Sequence, residues 1–144
     1  HTSNKGSKDI QEMPLTIGIK CYEHLANILK PIVEKHNGTL GLSSIGVVSG
    51  ATFKEEALAL RELLPSAPFL IPGYGAQGAS AEDACAPLIP DAIHSDLKNF
   101  GLINASRSVL FPDESYLVNS IEDWQKIILT KINSTNNELQ NINH

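Results

Sequence analysis

The sequence has 144 residues, of which 42% are hydrophobic and 19% are charged, a composition typical of a folded domain and not of a disordered chain. The formal net charge is −5, and the absence of a basic stripe argues against a nucleic-acid-binding surface. No apolar run reaches the ~20 residues that a membrane-spanning helix requires. Cys21 and Cys85 are the only cysteines. Their spacing matches no metal motif, so we expect reduced thiols in a cytoplasmic protein.

The first third of the chain predicts a polar segment followed by a helix. Residues 1–14 are turn-like. From the start at His1 without an initiator Met we expect either that a segment was removed or that the chain begins inside a larger protein. Apolar residues recur at helical spacing from Ile17 to His36. Pro31 interrupts this pattern and is expected to kink or split the helix.

Two short apolar runs, at 45–50 and 69–71, follow. Neither run alternates with polar residues, so both are predicted to be strands that are buried on both faces. Residues 54–64 between them predict a helix. Thr52 is expected to be its N-cap, with Glu55 completing a capping box.

The same order repeats further along the chain. Ser80 is expected to cap a short helix over 81–86, and 101–104 predicts a third strand. The apolar face of 119–132 predicts a last helix. We expect residues 1–134 to form the domain and residues 135–144 to be a polar tail that frays.

Strands that alternate with helices predict right-handed crossovers and a parallel sheet, and therefore an α/β fold. Three parallel strands by themselves leave both outer edges unpaired.

The loop after the second strand, Gly73-Tyr-Gly-Ala-Gln-Gly78, permits three interpretations. It matches the dinucleotide fingerprint G-x-G-x-x-G, although Asp91 and Asp96, at roughly the ~20-residue distance of the ribose-binding acid, follow no strand. It is also compatible with a turn that has no function. The third interpretation is a phosphate site, in which Gln77 and Arg107 donate hydrogen bonds to the anion. Two successive loops of a (β/α)₈ barrel form such a site.

Three blocks of the sequence together resemble the orotidine 5′-phosphate decarboxylase family. They are Gly46-Val-Val-Ser-Gly-Ala-Thr52, Phe69-Leu-Ile-Pro-Gly-Tyr-Gly-Ala-Gln-Gly78 and Leu102-Ile-Asn-Ala-Ser-Arg107. The segment Thr2-Ser3-Asn4 is similar to the family's loop after its fifth barrel strand. The resemblance extends to about residue 112 and implies the C-terminal half of a TIM barrel.

The resemblance implies an enzyme that converts orotidine monophosphate to uridine monophosphate (UMP) without a metal or an organic cofactor. It also implies a homodimer. Gln77 and Arg107, helped by the Ser106 backbone, would hold the 5′-phosphate. Ser3 would hydrogen-bond the edge of the pyrimidine, and Pro72 would line the base pocket.

The family's catalytic string, Asp-x-Lys-x-x-Asp, does not occur in this sequence; Asp96-Leu-Lys98-Asn-Phe-Gly101 lacks the final Asp. We therefore expect no decarboxylase activity from these 144 residues without the missing N-terminal half of the barrel. Two other functions remain open. One is another phosphate-binding barrel enzyme, such as a sugar-phosphate synthase or epimerase, and the other is a non-catalytic nucleotide-binding half-domain.

Overall fold

The computed structural model describes residues 2–90 and 98–143 as an α/β fold. Its strands are, in chain order, β1 (Val47–Val48), β2 (Phe69–Pro72), β3 (Ile89–Pro90), β4 (Lys98–Asn99) and β5 (Gly101–Asn104). Strands β1, β2 and β5 form one parallel sheet in that order, and β3 pairs with β4 in an antiparallel arrangement. The predicted sheet of three parallel strands is confirmed.

Helices cover one face of this sheet. They are α1 (Lys8–Gln11), α2 (Cys21–Lys35), α3 (Lys54–Leu63), α4 (Ala81–Cys85), α5 (Arg107–Leu110) and α6 (Ile121–Asn143), with short 3₁₀ turns at Lys5–Ser7 and Asp113–Leu117. Phe69 and Ile71 of β2 are buried against Leu60, Leu64 and Leu88 in the core. Within the described ranges, no helix is long and apolar enough to cross a membrane.

The opposite face of the sheet is open, so the prediction that the strands are buried on both faces is wrong. Val48 pairs with Leu70 and Leu70 with Leu102, which places these side chains in one row across the sheet. Their exposed fractions are 44%, 43% and 73%. The strands carry apolar side chains on both faces, which is typical of a sheet with two covered faces. The described helices cover only one of these faces.

Two helix predictions also need correction. Pro31 does not split α2, which runs without interruption from Cys21 to Lys35. Thr52 does not cap α3, whose N-cap position is occupied by Phe53 without a side-chain hydrogen bond. The Thr52 hydroxyl donates instead to the carbonyl oxygen of Ser3, at 3.0 Å. The Thr52 hydroxyl therefore makes a tertiary hydrogen bond instead of the N-cap hydrogen bond that the local sequence pattern predicts.

The cap predicted for α4 is present. The Ser80 hydroxyl accepts a hydrogen bond from the Asp83 amide at 3.1 Å, and the Asp83 carboxylate accepts from the Ser80 amide at 3.1 Å. The Ser80 hydroxyl also donates to the Asp83 carboxylate, at 2.8 Å. This hydrogen bond, and next the one from the Ser80 amide, lower the pKa of Asp83, because they stabilise its ionised form.

The last helix is longer than the sequence pattern predicts. Helix α6 continues from Ile121 to Asn143 and so includes most of the stretch expected to fray. Two contacts hold this part: the Tyr74 hydroxyl donates to the Glu138 carboxylate at 2.8 Å, and the Cys85 thiol lies 3.9 Å from the Leu139 carbonyl oxygen. The boundary between residues 134 and 135 stays a prediction.

Candidate phosphate-binding site

The candidate site lies where β2 and β5 end side by side. Pro72 at the end of β2 is opposite Asn104 at the end of β5, so the loops that follow these strands begin next to each other. They surround a cavity of about 90 Å³. Its lining includes four of the predicted site residues, Pro72, Gln77, Ser106 and Arg107, together with Gly73, Tyr74, Ala76 and Asn104.

The glycine-rich loop is held in a tight shape by its own backbone. The Gly75 amide donates to the Ala79 carbonyl at 3.0 Å, and the Ala79 amide donates to the Gly73 carbonyl at 3.2 Å. Gly73 and Gly75 have φ angles of +107° and +71°, values that side chains other than glycine rarely adopt. A Cβ atom on Gly75 would also lie 2.8 Å from the Ser108 Oγ. The loop therefore needs glycine for its conformation and for its close approach to α5.

The polar groups that face this cavity can bind an anion. Gln77, Ser106 and Arg107 are all exposed. Among the residues that the structure describes, no ion pair is found for Arg107. A guanidinium group has the geometry for a bidentate contact with a phosphate, and the Gln77 amide can donate a further hydrogen bond.

Ser3 lies beside this cavity but is not part of its lining. A Cβ atom on Gly73 would lie 3.0 Å from the Ser3 Cβ and 3.5 Å from the Gln77 Oε1, so both side chains approach Gly73. The Thr52 hydroxyl fixes the Ser3 carbonyl from the neighbouring loop. The structure therefore brings Ser3 next to Gly73, a residue of the cavity lining, although the roles of Ser3 and of the other four predicted residues stay predictions.

Substitution of Gly50 with alanine is expected to displace Ser3. The new Cβ atom would collide with the Ser3 backbone nitrogen and would lie 2.6 Å from the Ser3 Cα. Backbone atoms cannot rotate away, so we expect a loss of about 1–3 kcal/mol in the free energy of unfolding, as for other overpacked sites. Urea denaturation measures it. Gly38→Ala is the matched control, because its Cβ atom would meet its nearest neighbour, the Leu42 carbonyl oxygen, at an ordinary 3.6 Å. Equal stabilities of the two variants would contradict the prediction.

Two residues were not predicted from the sequence to belong to the site. Asn104 lines the cavity, and Thr52 holds Ser3. Asn104 could have been found from its position, because polar residues at the carboxyl end of a parallel strand lie where α/β proteins bind ligands. Thr52 follows β1 in the same way, but its capping pattern suggested a local role.

The dinucleotide interpretation receives no support from the described residues. Asp91 and Asp96, the two candidates for the ribose-binding acid, lie outside the described residues. Across 2–90 and 98–143, no group of three or more His, Cys, Asp or Glu side chains is arranged to hold a metal ion.

Comparison with known proteins relates the sequence to one group of enzymes, although no protein-family model matches it. The orotidine 5′-phosphate decarboxylase of Clostridium perfringens is 42% identical over 109 residues, which are 76% of this chain and 36% of that protein. The Haloarcula marismortui enzyme of the same name is 38% identical over 113 residues, or 78% of this chain and 36% of the relative. The chain thus spans just over a third of the length of these relatives.

Solved structures show the same relationship at the level of the fold. A protein described as an orotidine-monophosphate decarboxylase from Toxoplasma gondii superimposes with a TM-score of 0.61 at 23% identity, covering 93% of this chain and 50% of that one. The UMP synthase of Leishmania donovani gives 0.58 at 27% identity, covering 90% and 25%. Part of a TIM barrel is therefore the fold of this chain, and its predicted resemblance to the orotidine 5′-phosphate decarboxylase family is confirmed.

Proposed function

We propose that the protein carrying this sequence converts orotidine monophosphate to UMP and carbon dioxide, as a carboxy-lyase. This chain would supply the site for the 5′-phosphate. The observation that supports the proposal is the convergence of Gln77, Ser106 and Arg107 on one cavity at the ends of two neighbouring strands. The identity of 42% to an enzyme of that name supports the choice of substrate.

Each of these residues has a distinct part in binding the phosphate. Arg107 contributes a fixed positive charge and two parallel N–H donors, which match two phosphate oxygens. Gln77 contributes a neutral side-chain donor from the opposite loop, and the Ser106 backbone completes the contact. Because the donors come from two loops, the phosphate would also fix the distance between them.

The pyrimidine would extend from the phosphate towards Ser3 and Pro72. Pro72 offers an apolar wall with no backbone N–H, and the Ser3 hydroxyl can donate to or accept from the polar edge of the ring. Ser3 is placed for this by the Thr52 hydroxyl and by its contact with Gly50.

The bond-breaking step would depend on residues outside these 144. The bond between C6 of the pyrimidine and its carboxylate breaks, carbon dioxide leaves, and the electron pair that stays on C6 takes a proton. In the family, the lysine of Asp-x-Lys-x-x-Asp gives this proton. The resemblance implies no metal or organic cofactor. The phosphate contacts would provide binding energy that positions the substrate and drives loop closure.

The proposal includes a further part of the barrel, which would cover the open face of the sheet. It also includes a homodimer and a cytoplasmic location. The exposed row Val48, Leu70 and Leu102 supports the further part of the barrel, because a barrel interior is filled with such side chains. The chain also spans only 36% of its Clostridium perfringens relative. We propose that residues corresponding to the rest of the relative cover this face.

The isolated chain is expected to release no measurable carbon dioxide from orotidine monophosphate. Adding a polypeptide that corresponds to the remainder of the Clostridium perfringens relative should restore turnover, because it brings the catalytic string and covers the open sheet face. The measurement is carbon dioxide release from carboxyl-labelled substrate. The same mixture made with Arg107→Ala is the control and should show a much lower kcat/KM.

Turnover by the isolated chain would refute the assignment of the bond-breaking step to other residues.

Binding to the isolated chain tests the site itself. UMP is expected to bind more tightly than ribose 5-phosphate, because only UMP can contact Ser3 and Pro72. Equal affinities would favour a sugar-phosphate enzyme over a decarboxylase.

A further inference from the structure

A hydrogen bond joins the glycine-rich loop to the far end of the chain. Tyr74 lies between Gly73 and Gly75, which both have positive φ, and only 8% of its surface is exposed. Its hydroxyl donates to the Oε2 atom of Glu138 at 2.8 Å, across 64 positions of sequence. The loop is therefore anchored to helix α6, which lies outside the sheet.

The residue after Glu138 ties α6 further to the rest of the fold. Leu139 packs against the hydrophobic core. The Leu139 carbonyl oxygen lies 3.9 Å from the Cys85 thiol of α4. Glu138 and Leu139 thus contact the loop and helix α4, which explains why a polar, Asn-rich sequence remains helical here.

The protonation state of Tyr74 suits this hydrogen bond at neutral pH. Burial, and next the hydrogen bond to Glu138, raise the pKa of Tyr74 to about 12, with the Thr135 hydrogen bond acting in the opposite direction. The phenol therefore keeps its proton and remains the donor to the carboxylate.

The middle of the loop lacks such an anchor. Ala76 and Gln77 are exposed, so packing does not fix their position. The loop's own hydrogen bonds keep its shape, but they run between residues of the loop, such as Gly75 to Ala79. The position of Gln77 relative to Arg107 must therefore depend on where the ends of the loop are held.

We propose that Tyr74 and Glu138 are positioning residues, which hold the glycine-rich loop so that Gln77 faces Arg107 across the phosphate-binding cavity. The ligand class is a phosphate monoester, and this part of the proposal rests on the proposed function. The anchoring of the loop by α6 is independent of it. Helix α6 is thereby part of the binding apparatus and not only a cover for the core.

Glu138→Ala tests this in the full 144-residue chain. Loss of a hydrogen bond to a charged group is expected to speed amide exchange at Gly75, Gly78 and Ala79 by about tenfold, while exchange in α3 stays unchanged. UMP and inorganic phosphate are expected to bind about tenfold more weakly for the same reason. Tyr74→Phe removes the donor instead of the acceptor and should give the same two effects.

Two controls separate positioning from general stability. Glu138→Gln keeps an oxygen that can accept from Tyr74, so it should restore most of the affinity and of the amide protection. Gln140→Ala changes an exposed residue of the same helix to alanine and should leave both unchanged. Urea denaturation of each variant shows whether global stability has changed.

The outcomes distinguish this proposal from the proposed function. Unchanged loop exchange in Glu138→Ala and Tyr74→Phe would overturn it, whether or not UMP binds. Equal effects in Glu138→Gln or Gln140→Ala would also overturn it, because the role would then not need the hydrogen bond. The unsubstituted chain could bind neither UMP nor phosphate while the two variants still show faster amide exchange in the loop. That result would support the anchor and refute the phosphate site.

Discussion

Replacement of Arg61 with methionine is expected to lower the free energy of unfolding by about 2–5 kcal/mol, because it leaves buried carbonyl groups without donors. Only 7% of Arg61 is exposed. Its guanidinium donates to five carbonyl oxygens, those of Leu64, Pro65, Ala67, Pro87 and Phe100, at 2.7–3.3 Å.

These carbonyl groups belong to different parts of the fold. The Leu64 and Phe100 oxygens each accept a second hydrogen bond from a backbone amide, so the loss would fall mainly on Ala67 and Pro87. The guanidinium also stacks on the Phe69 ring, with 3.8 Å to the ring centre. Burial lowers the pKa of Arg61 to about 10, and the group therefore keeps its charge at neutral pH.

Urea denaturation measures the effect, and two variants interpret it. Arg61→Lys retains the charge but has three donors on a point-like ammonium, so an intermediate loss is expected. Lys35→Met is the control, because Lys35 is exposed on α2 and such changes usually stay within about 0.5 kcal/mol. A loss below about 1 kcal/mol in Arg61→Met would contradict the role given to its hydrogen bonds.

Replacement of Arg107 with alanine is expected to weaken UMP binding by about 1.5–3 kcal/mol, or roughly 10–150-fold, through loss of a charge-assisted bidentate contact. Arg107 is exposed, so the free energy of unfolding should hardly change. In the complete enzyme, the same variant should raise KM and lower kcat/KM. Calorimetric titration of the chain with UMP measures the binding affinity directly.

Conservative and distant substitutions make this result specific. Arg107→Lys keeps the positive charge but lacks the paired N–H donors of the guanidinium group. It should therefore retain part of the UMP affinity that Arg107→Ala loses. Lys126→Ala removes an exposed positive charge that is paired with Asp123 and does not line the cavity. It should have no effect. An unchanged affinity in Arg107→Ala would refute the phosphate role.

The order of elements could be predicted because it depends on local patterns. Short apolar runs, a glycine-rich loop and a Ser80 cap each indicate structure within a few residues, and all three are present. The convergence of Gln77 and Arg107 was also predictable, since neighbouring parallel strands end at the same edge of the sheet. Resemblance to the family supplied Pro72 and Ser3, which no periodicity indicates.

Long-range contacts account for what could not be predicted. Thr52 has a suitable capping sequence, yet its hydroxyl bonds to Ser3, 49 positions away. The extension of α6 depends on Tyr74 and Cys85, and nothing in the Asn-rich sequence itself predicts a helix. Phe100 has a φ of +68°, which is uncommon for a residue other than glycine. Its carbonyl oxygen accepts from Arg61 and from the Phe69 amide.

The open row of Val48, Leu70 and Leu102 has a thermodynamic consequence. The heat capacity change of unfolding grows with the apolar surface newly exposed to water, by about 0.45 cal/mol/K for each Å². Side chains that are already 43–73% exposed in the folded chain contribute less to that change than fully buried side chains do. The stability of the isolated chain therefore varies less steeply with temperature than that of a closed barrel, and covering the row would increase the curvature.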